Sequence, residues 1–335
     1  MGRNLLTGNT VTSAGISASP GIAVLGDLPL EVPDLQRLAS HGKLTVWPRV
    51  PLTIADTLPC VADNEIIIIG ATPIGEELLC RAPNLRLIDI CSAGYDHVDV
   101  AAATKRGVTV CNVPGYAAVS VAEQAIALAL AVAKRLPQGD RLVRAGEWVD
   151  LDYTLTQLAG RTFGVLGTGA VGSRVAKLAR AFGCQVLAYD LVVSPELAAD
   201  SGVEYVALDH LLRDSDFVCL CLTLNPSTER LVGAHEFALM TRKPILINVA
   251  RGRLIDQAAL LQALRQGQIC GAGLDVLEVE PAPAGEPLLA EENVVLSPHV
   301  GAHTPETNAR LSRICVDNVA SFLQGAPQNV AMPAD

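Results

Sequence analysis

The fold is decided by residues 163–190, which read FGVLGTGAVGSRVAKLARAFGCQVLAYD. A short apolar run opens this stretch, and three glycines follow in the pattern G-x-G-x-x-G, at Gly167, Gly169 and Gly172. Apolar residues then recur at helical spacing, and a second apolar run ends in Asp190. This succession of strand, glycine turn, helix, strand and acid predicts a dinucleotide-binding βαβ unit.

The glycines and the acid of this unit each suit a dinucleotide. Gly167 is expected to take a backbone conformation that is closed to residues with a Cβ. Gly169 is expected to let the chain approach a pyrophosphate, and Gly172 to let the helix pack closely on the strand. The free N–H groups at the helix N-terminus attract phosphate. Asp190 can accept hydrogen bonds from the ribose hydroxyls and would repel a 2′-phosphate, which favours NAD over NADP. The alternative is a doubly wound domain that binds no nucleotide, with glycines in ordinary turns.

Composition argues against several classes of protein. The 335 residues are enough for two domains. The longest apolar run, 125–133, falls well short of the roughly 20 residues of a membrane span. A net charge of −10 and the lack of any basic run argue against a nucleic acid partner, and the short apolar runs argue against a membrane. A small anionic substrate remains compatible with this charge if a few local cations receive it.

The cysteines and the N-terminus indicate a cytoplasmic protein. The nine cysteines form no C-x-x-C pair, so we expect free thiols in a reducing compartment and no metal site. Residues 1–20 contain no continuous apolar core, which argues against a secretory signal. We expect them to form a mobile polar lead-in.

Short apolar runs alternate with helical patterns along the rest of the chain. The expected strands are 22–25, 44–46, 66–69, 87–91, 108–111, 163–166, 186–189, 203–206, 217–222, 245–249, 271–276 and 294–296. The expected helices are 33–40, 74–81, 100–106, 120–136, 171–182, 208–213, 234–240, 257–266 and 305–323. The pattern predicts an α/β fold with two Rossmann-like, doubly wound parallel-sheet domains and an interdomain cleft.

The nucleotide domain is expected to be inserted in the substrate domain, because the last helix would return to the first sheet. We assign residues 21–118 and 302–335 to a flavodoxin-like substrate domain and 119–301 to a NAD-binding Rossmann domain. The helix 120–136 is apolar on nearly every face, so we expect it to be buried between domains or subunits. Ser120 and Glu123 are spaced as a capping box, and Pro137 is expected to end the helix. A homodimer through residues 120–148 is the expected assembly.

Residues that follow predicted strands are candidates for chemistry, because ligands of open parallel sheets bind at the carboxyl ends of strands. Arg251 can bind a carboxylate through two parallel hydrogen bonds, although an ordinary salt bridge explains it equally well. Glu280 lies in an acidic loop for which simple solvation is the alternative. His299, next to a proline, is a candidate acid and base or a structural hydrogen-bonding residue. Asp275 lies at a strand end, from which it could reach the nicotinamide carboxamide.

Taken in order, these motifs are similar to those of the D-isomer-specific 2-hydroxyacid dehydrogenase family. The similarity extends over about residues 66–324 and includes SAGYDHVD (92–99), CNVPG (111–115), the glycine pattern, NVARG (248–252), GLDV (273–276), EP (280–281) and SPH (297–299). The spacing from Glu280 to His299 is similar to that of the glyoxylate/hydroxypyruvate reductase branch.

The resemblance implies roles for the candidate residues. Arg251 would bind the substrate carboxylate and polarise its carbonyl, His299 would be the general acid and base, and Glu280 would fix the tautomer of His299. The substrate-binding residues would be Ser92, Ala93, Gly94, Tyr95, Arg251 and His299. The cofactor contacts would be Gly167, Gly169, Ala170, Val171, Gly172, Asp190, Thr223, Thr228, Val249, Ala250, Asp275, His299 and Gly301.

The resemblance implies NAD(H)-dependent hydride transfer between nicotinamide and a small 2-oxo or D-2-hydroxy acid, above all the reduction of hydroxypyruvate or glyoxylate. Gly70-Ala71 stands where D-3-phosphoglycerate dehydrogenases often carry an arginine, which disfavours that alternative without excluding it. A reductase for the 2-oxo acid of a specialised pathway is another alternative, with Tyr95, Tyr116 and His303 facing the substrate. The alternative of another class is an NADH-sensing binding protein similar to the C-terminal binding proteins.

Overall fold

The computed structural model describes residues 19–148 and 154–333, so most of the expected lead-in of residues 1–20 lies outside it. The chain divides into two compact units, with boundaries between Tyr116 and Ala117 and between His303 and Thr304. The first unit contains the two ends of the chain and the second contains the middle.

The elements are numbered in chain order. The strands are β1 Gly21–Leu25, β2 Lys43–Trp47, β3 Ile66–Ile69, β4 Leu87–Ile90, β5 Thr109–Cys111, β6 Thr162–Leu166, β7 Gln185–Tyr189, β8 Val203–Tyr205, β9 Phe217–Leu220, β10 Ile245–Asn248, β11 Gly271–Leu274 and β12 Val294–Leu296. The helices are α1 Val32–His41, α2 Ile54–Val61, α3 Glu76–Cys80, α4 Val100–Lys105, α5 Ala118–Ala133, α6 Leu136–Arg144, α7 Ala170–Ala181, α8 Pro195–Ser201, α9 Leu208–Asp214, α10 Ala234–Leu239, α11 Gln257–Arg265 and α12 Pro305–Leu323.

The first unit is built on a parallel sheet in the order β2-β1-β3-β4-β5, counted within the described residues. All four isoleucines of β3 are fully buried, as a parallel strand covered on both faces requires. Helix α12 packs on this sheet, where Leu311, Cys315 and Val319 join the core formed by β1 and β3. Residues far apart in sequence therefore share one hydrophobic core.

The second unit is built on a parallel sheet in the order β12-β11-β10-β9-β6-β7-β8, again counted within the described residues. The order reverses between β6 and β9, the type of position at which open α/β sheets bind ligands. Two parallel-sheet units with covering helices confirm the predicted α/β class.

Helix α5 is buried against the sheet of its own unit. Ala125, Leu128 and Ala129 are at most 4% exposed and belong to the core of this unit. A Cβ placed on Gly273 of β11 would lie 2.8 Å from the Cβ of Leu128, so the glycine allows helix and sheet to approach closely. The apolar helix predicted from sequence is therefore a core element of the second unit.

Two predictions about the ends of α5 are wrong. Its N-cap is Ala117, which makes no side-chain capping bond, and the hydroxyl of Ser120 donates to the carbonyl of Gly301 instead of capping the helix. The helix ends at Ala133, and Pro137 lies in the first turn of α6 rather than terminating α5. Proline is accepted there because the N–H groups of a first turn have no helical partner.

Helices α2, α6 and α8 were not anticipated. Pro59 lies inside α2, where proline is usually taken as a helix breaker, but Thr53 caps the helix by accepting from the N–H of Asp56 at 3.2 Å. Helix α8 begins at Pro195 behind the cap Ser194, which accepts from the N–H of Leu197 at 3.2 Å. Both helices are short, and their capping residues, Thr53 and Ser194, were the features of the sequence from which the helices could have been predicted.

Candidate active site

The sheet order brings together the residues expected to carry chemistry in the second unit. Arg251 follows β10, Glu280 follows β11 and His299 follows β12, and these three strands are neighbours in one sheet. Because parallel neighbours end at the same edge, the loops that follow them are adjacent. We call this set of loops the catalytic edge. The glycine loop after β6 lies on the other side of β9.

His299 and Glu280 form a direct pair, with Nδ1 of the imidazole 2.7 Å from Oε2 of the carboxylate. The other oxygen, Oε1, accepts from the N–H of Leu277 at 2.9 Å. Burial by itself raises the pKa of Glu280, but the bonds from His299 and Leu277 and the charges of His299 and Arg251 bring it below its ordinary value. The carboxylate is therefore ionised near neutral pH, and Nε2 is left as the ring nitrogen that can exchange a proton.

The backbone of His299 is held in a conformation that non-glycine residues seldom take, with φ at 55°. Its N–H donates to the carbonyl of Asp275 at 2.8 Å. The Asp275 carboxylate accepts from the N–H groups of Val300 at 3.1 Å and Gly301 at 2.9 Å, and from the hydroxyl of Ser297 at 2.5 Å. These bonds enclose the catalytic histidine candidate in a loop organised around one buried acid.

Asp275 was expected to contact the nicotinamide carboxamide, and the structure gives its side chain a different set of partners. The residue is 2% exposed, and both carboxylate oxygens point into the His299 loop. A carboxylate is tolerated in such burial because several donors surround it. Asp275 therefore acts as the anchor of residues 297–301.

Two polar residues of α5 complete this loop, and sequence reasoning missed both. The amide of Gln124 donates to Ser297 Oγ at 2.8 Å and lies 3.4 Å from Asp275 Oδ1, while Ser120 donates to the carbonyl of Gly301. Ser120 and Gln124 are four residues apart, so they share one face of an otherwise apolar helix. That pairing of polar residues was the signal available in the sequence.

Arg251 is positioned by the side chain of Asn248 at the end of β10. Asn248 is fully buried, accepts from the N–H of Ala250 at 3.0 Å and donates to the carbonyl of Arg251 at 2.8 Å. A Cβ on Gly252 would lie 2.0 Å from the carbonyl carbon of Leu277, so this loop packs against the backbone that leads to Glu280. Val249 and Ala250, expected cofactor contacts, lie in the same loop.

The glycine loop has the geometry that a pyrophosphate requires. Gly167 has φ at 90°, and a Cβ on Gly172 would lie 1.8 Å from the carbonyl oxygen of Gly167. Gly169, in contrast, has nothing within 4 Å of the place its Cβ would occupy, so the chain there can be approached closely. Ala170 and Val171 begin α7, whose N-terminal N–H groups suit a phosphate. These residues fit the predicted dinucleotide.

Asp190 lies at the end of β7 and is bonded to the glycine loop. Its Oδ2 accepts from the N–H and the hydroxyl of Thr168, at 2.6 and 2.9 Å. The loop after β9 is fixed by Thr228, whose hydroxyl donates to the carbonyl of Thr223 at 2.7 Å and accepts from the N–H of Asn225 at 2.9 Å. The expected cofactor residues of this half therefore belong to ordered turns, and Thr168 is an addition to them.

In the first unit, residues 92–95 form a turn after β4. Ser92 Oγ donates to the carbonyl of Gly94 at 2.7 Å, and the amide of Asn112 donates to the carbonyl of Ala93 at 2.7 Å. The N–H groups of Ala93 and Gly94 donate to no acceptor within the described residues, which suits them to an anion. Tyr95 packs, partly buried, against the apolar core of its unit.

Among the residues described, no group of three or more His, Cys, Asp or Glu side chains is placed to hold a metal ion. No helix of these same residues combines the length and the apolar character that a membrane span requires.

The chain belongs to the D-isomer-specific 2-hydroxyacid dehydrogenase family. Residues 126–301 match the family model described as the NAD binding domain of D-isomer specific 2-hydroxyacid dehydrogenases. The protein is accordingly an oxidoreductase of this family with a NAD-binding Rossmann domain, as the motifs predicted.

Curated relatives carry the names of more than one activity. A glyoxylate reductase of Korarchaeum cryptofilum is 39% identical over 303 residues, which cover 88% of this chain and 91% of the relative. A hydroxypyruvate reductase of Blautia hydrogenotrophica is 35% identical over 304 residues, covering 89% and 94%. A D-3-phosphoglycerate dehydrogenase of Archaeoglobus fulgidus is 39% identical over 262 residues, but these cover 78% of this chain and only 50% of the relative.

Solved structures extend the likeness to the fold and differ in cofactor. A D-lactate dehydrogenase of Aquifex aeolicus, complexed with NAD and lactic acid, has a TM-score of 0.81 at 30% identity and covers 91% of this chain and 96% of its own. An NADPH-dependent glyoxylate/hydroxypyruvate reductase of Sinorhizobium meliloti, complexed with NADP and malonate, has a TM-score of 0.81 at 32% identity and covers 95% and 98%. Relatives of this fold thus use either dinucleotide.

Proposed function

We propose that this chain reduces small 2-oxo acids to D-2-hydroxy acids with NADH, and that hydroxypyruvate and glyoxylate are its substrates. The observation that carries the proposal is the 2.7 Å pair between His299 Nδ1 and Glu280 Oε2, beside the loop of Arg251. A histidine whose Nδ1 is held by an ionised carboxylate can deliver the proton of its Nε2 to an oxygen. The names of two relatives with high coverage agree with these substrates.

Three side chains of the catalytic edge carry the mechanism. Arg251 binds the substrate carboxylate through its guanidinium and polarises the neighbouring carbonyl. His299 donates the proton of Nε2 to the carbonyl oxygen, where negative charge develops as the bond order falls. Glu280 accepts from Nδ1 throughout, so it fixes the ring and balances the imidazolium charge. Bound nicotinamide supplies the hydride.

The first unit contributes the turn at residues 92–95. The N–H groups of Ala93 and Gly94 are assigned to the substrate carboxylate, with Ser92 holding the turn through its bond to the carbonyl of Gly94. We assign residues 21–118 and 302–335 to the substrate domain and residues 119–301 to the nucleotide domain, with internal bounds that differ by two residues from those of the two compact units. Tyr95 contributes its backbone rather than its ring, since the ring packs on the core.

NADH rather than NADPH is assigned because of Asp190 and the residues that follow it. A carboxylate at the end of β7, the second strand of the dinucleotide-binding βαβ unit, accepts from ribose hydroxyls and repels a 2′-phosphate. Leu191 and Val192, 86% and 77% exposed, stand where a cation would be needed to receive that phosphate. The remaining cofactor contacts are those of the glycine loop, Thr223, Thr228, Val249, Ala250, His299 and Gly301.

We assign a homodimer formed through residues 120–148. Leu136, Val143 and Trp148 are 57%, 56% and 84% exposed, an unusual density of apolar surface on and after one short helix. Sedimentation of the wild type and of Trp148→Ser tests this assignment, and a monomeric wild type would contradict it. All nine cysteines are free thiols, which agrees with a cytoplasmic location.

The function is tested with a panel of glyoxylate, hydroxypyruvate, 3-phosphohydroxypyruvate, pyruvate and the bulkier phenylpyruvate, each with NADH and NADPH and followed at the nicotinamide absorbance. Efficient reduction of the first two with NADH is the expected result. A preference for the phosphorylated acid would instead establish a D-3-phosphoglycerate dehydrogenase. Efficient turnover only on a bulkier 2-oxo acid would indicate a specialised pathway. Silence throughout, with NADH bound, would indicate an NADH-sensing binding protein.

A further inference from the structure

The carboxylate of Asp190 is held in one orientation. Its Oδ2 accepts from both the N–H and the hydroxyl of Thr168, and its Oδ1 accepts from the N–H of Val192 at 3.2 Å. Thr168 is the residue between the first two glycines of the loop and is 7% exposed. The direction of the acid is therefore set from inside the glycine loop.

Tyr205 extends this contact to β8. Its hydroxyl donates to Thr168 Oγ1 at 2.9 Å and accepts from the N–H of Ser194 at 3.2 Å. A hydroxyl has one hydrogen and can donate one hydrogen bond, so Tyr205 donates to Thr168 and Thr168 in turn donates to Asp190. The three residues form a directed chain of hydrogen bonds that ends on a carboxylate oxygen.

The same contacts keep the acid ionised. Burial raises the pKa of Asp190, but the N–H groups of Thr168 and Val192, the Thr168 hydroxyl and the N–H of Leu191 together bring it below the ordinary value. Such hydrogen bonds to a charged acceptor are stronger than those between neutral groups. A fixed negative charge therefore stands beside the place where a dinucleotide ribose is expected.

We propose that Thr168 and Tyr205 are positioning residues that select NADH over NADPH by holding the Asp190 carboxylate in place. The inference rests on the proposed function in one respect, namely that the dinucleotide binds at the glycine loop. Because the Asp190 carboxylate is already oriented, the ribose hydroxyls of NADH can donate to its oxygens without the entropic cost of ordering that side chain. The 2′-phosphate of NADPH is repelled by the Asp190 carboxylate, because the hydrogen bonds keep that carboxylate from rotating away. The exposed Leu191 and Val192 offer no compensating cation.

The test compares Tyr205→Phe, which removes one hydroxyl, with Thr168→Val, which removes the next hydroxyl but keeps the N–H. Titration with NADH and with NADPH, without any 2-oxo acid, gives both dissociation constants independently of the substrate. Tyr205→Phe is expected to weaken NADH about 2- to 10-fold, the effect of losing one hydrogen bond, while NADPH binding changes little. Thr168→Val is expected to weaken NADH by about 10-fold or more, because its bond reaches the charge directly.

Two further variants separate positioning from general damage to the loop. Thr168→Ser retains the hydroxyl and is expected to restore the selectivity of the wild type. Tyr189→Phe is the matched control, since Tyr189 directly precedes Asp190 and its hydroxyl forms no hydrogen bond within the described part of the chain. In steady-state assays Tyr205→Phe is expected to raise the KM for NADH, with little change in kcat. Thermal melting of each variant verifies that it is folded.

Three results would overturn the inference, and they are distinguishable. A wild type that binds neither dinucleotide removes both the proposed function and the inference. A wild type that prefers NADH, with Tyr205→Phe and Thr168→Val folded and equally selective, removes the inference alone. Equal weakening of NADH and NADPH in both variants also removes it, because the chain of hydroxyls would then support the loop without choosing between cofactors.

Discussion

The glycine loop and the catalytic edge lie on one sheet but are built in different ways. The loop comes from the contiguous residues 163–190, and its shape is set by steric contacts between neighbours, such as Gly172 against the carbonyl of Gly167. The catalytic edge is assembled from the ends of β10, β11 and β12, together with two side chains of α5. One site is local in sequence and the other depends on distant parts of the chain.

The difference lies in what holds each site. In the loop, missing side chains make room for a ligand, so damage comes from added atoms. At the catalytic edge, buried polar groups hold His299 and Arg251, so damage comes from lost hydrogen bonds. Substitutions in the two regions should therefore fail in different ways.

The largest effect is expected from His299→Ala at the catalytic edge. Loss of a general acid typically lowers turnover by about 10²- to 10⁴-fold, while NADH binding should persist because the glycine loop lies across β9. Steady-state rates and NADH titration measure the two quantities separately. His235→Ala, an exposed histidine on α10, is the control. Turnover at the wild-type level in His299→Ala would exclude the histidine from the chemistry.

Next in size is a pair of substitutions in the glycine loop. Gly172→Ala puts a Cβ 1.8 Å from the carbonyl oxygen of Gly167, and overpacking of this kind costs about 1–3 kcal/mol. Gly169→Ala meets nothing within 4 Å, so it should keep its stability yet lose NADH affinity, because its methyl group occupies the approach of the pyrophosphate. Urea denaturation and NADH titration distinguish them. Unchanged NADH affinity in Gly169→Ala would place the pyrophosphate elsewhere.

Asp275→Asn tests the hydrogen bonds of the catalytic edge. An amide cannot accept at both positions from Ser297, Val300 and Gly301, and losing hydrogen bonds to a buried charge costs about 1.5–3 kcal/mol. Turnover should fall as the His299 loop loosens, with NADH affinity preserved. Glu278→Gln, which disrupts an exposed pair with Arg230, should cost at most about 1 kcal/mol. Equal denaturation midpoints for the two variants would contradict the anchoring role.

Asp89 in the first unit gives an effect on stability that depends on pH. It is fully buried like Asp275 but has one oxygen bonded to Asn318 and the other without a hydrogen-bond partner, and burial raises its pKa to about 7. The folded state therefore holds a proton that the unfolded state has released, and stability falls as pH rises from about 4 to 7, by up to roughly 1.4 kcal/mol for each unit.

Asp89→Asn removes this titration, because an amide stays neutral. Its free energy of unfolding, measured in urea at pH 5 and pH 8, should rise relative to the wild type at the higher pH. A constant difference between variant and wild type across that range would show that Asp89 does not titrate there. Asp89 and Asp275 would then differ only in the hydrogen bonds that their carboxylates accept.

Much of the site could be predicted because its motifs are local. The glycine pattern, the acid at residue 190 and the positions of Arg251, Glu280 and His299 after strands all follow from short stretches of sequence. The capping box at Ser120 and the helix end at Pro137 were wrong for different reasons. Pro137 lies in the first turn of a new helix, α6, where proline is accepted. Ser120 has a better partner in Gly301, which is distant in sequence, and such a partner cannot be read from spacing.

The sequence by itself determined the α/β class, the dinucleotide unit and the family, because strand and helix periodicity and glycine sterics act between near neighbours. Only the tertiary structure decided that Asp275 is buried beneath the His299 loop and that Gln124 donates a hydrogen bond to that loop. The same holds for the hydrogen bonds that link Tyr205 through Thr168 to Asp190. Each of these contacts joins residues that lie on, or shortly after, different strands and helices. Their partners are chosen by the order of strands in the sheet, which no local pattern encodes.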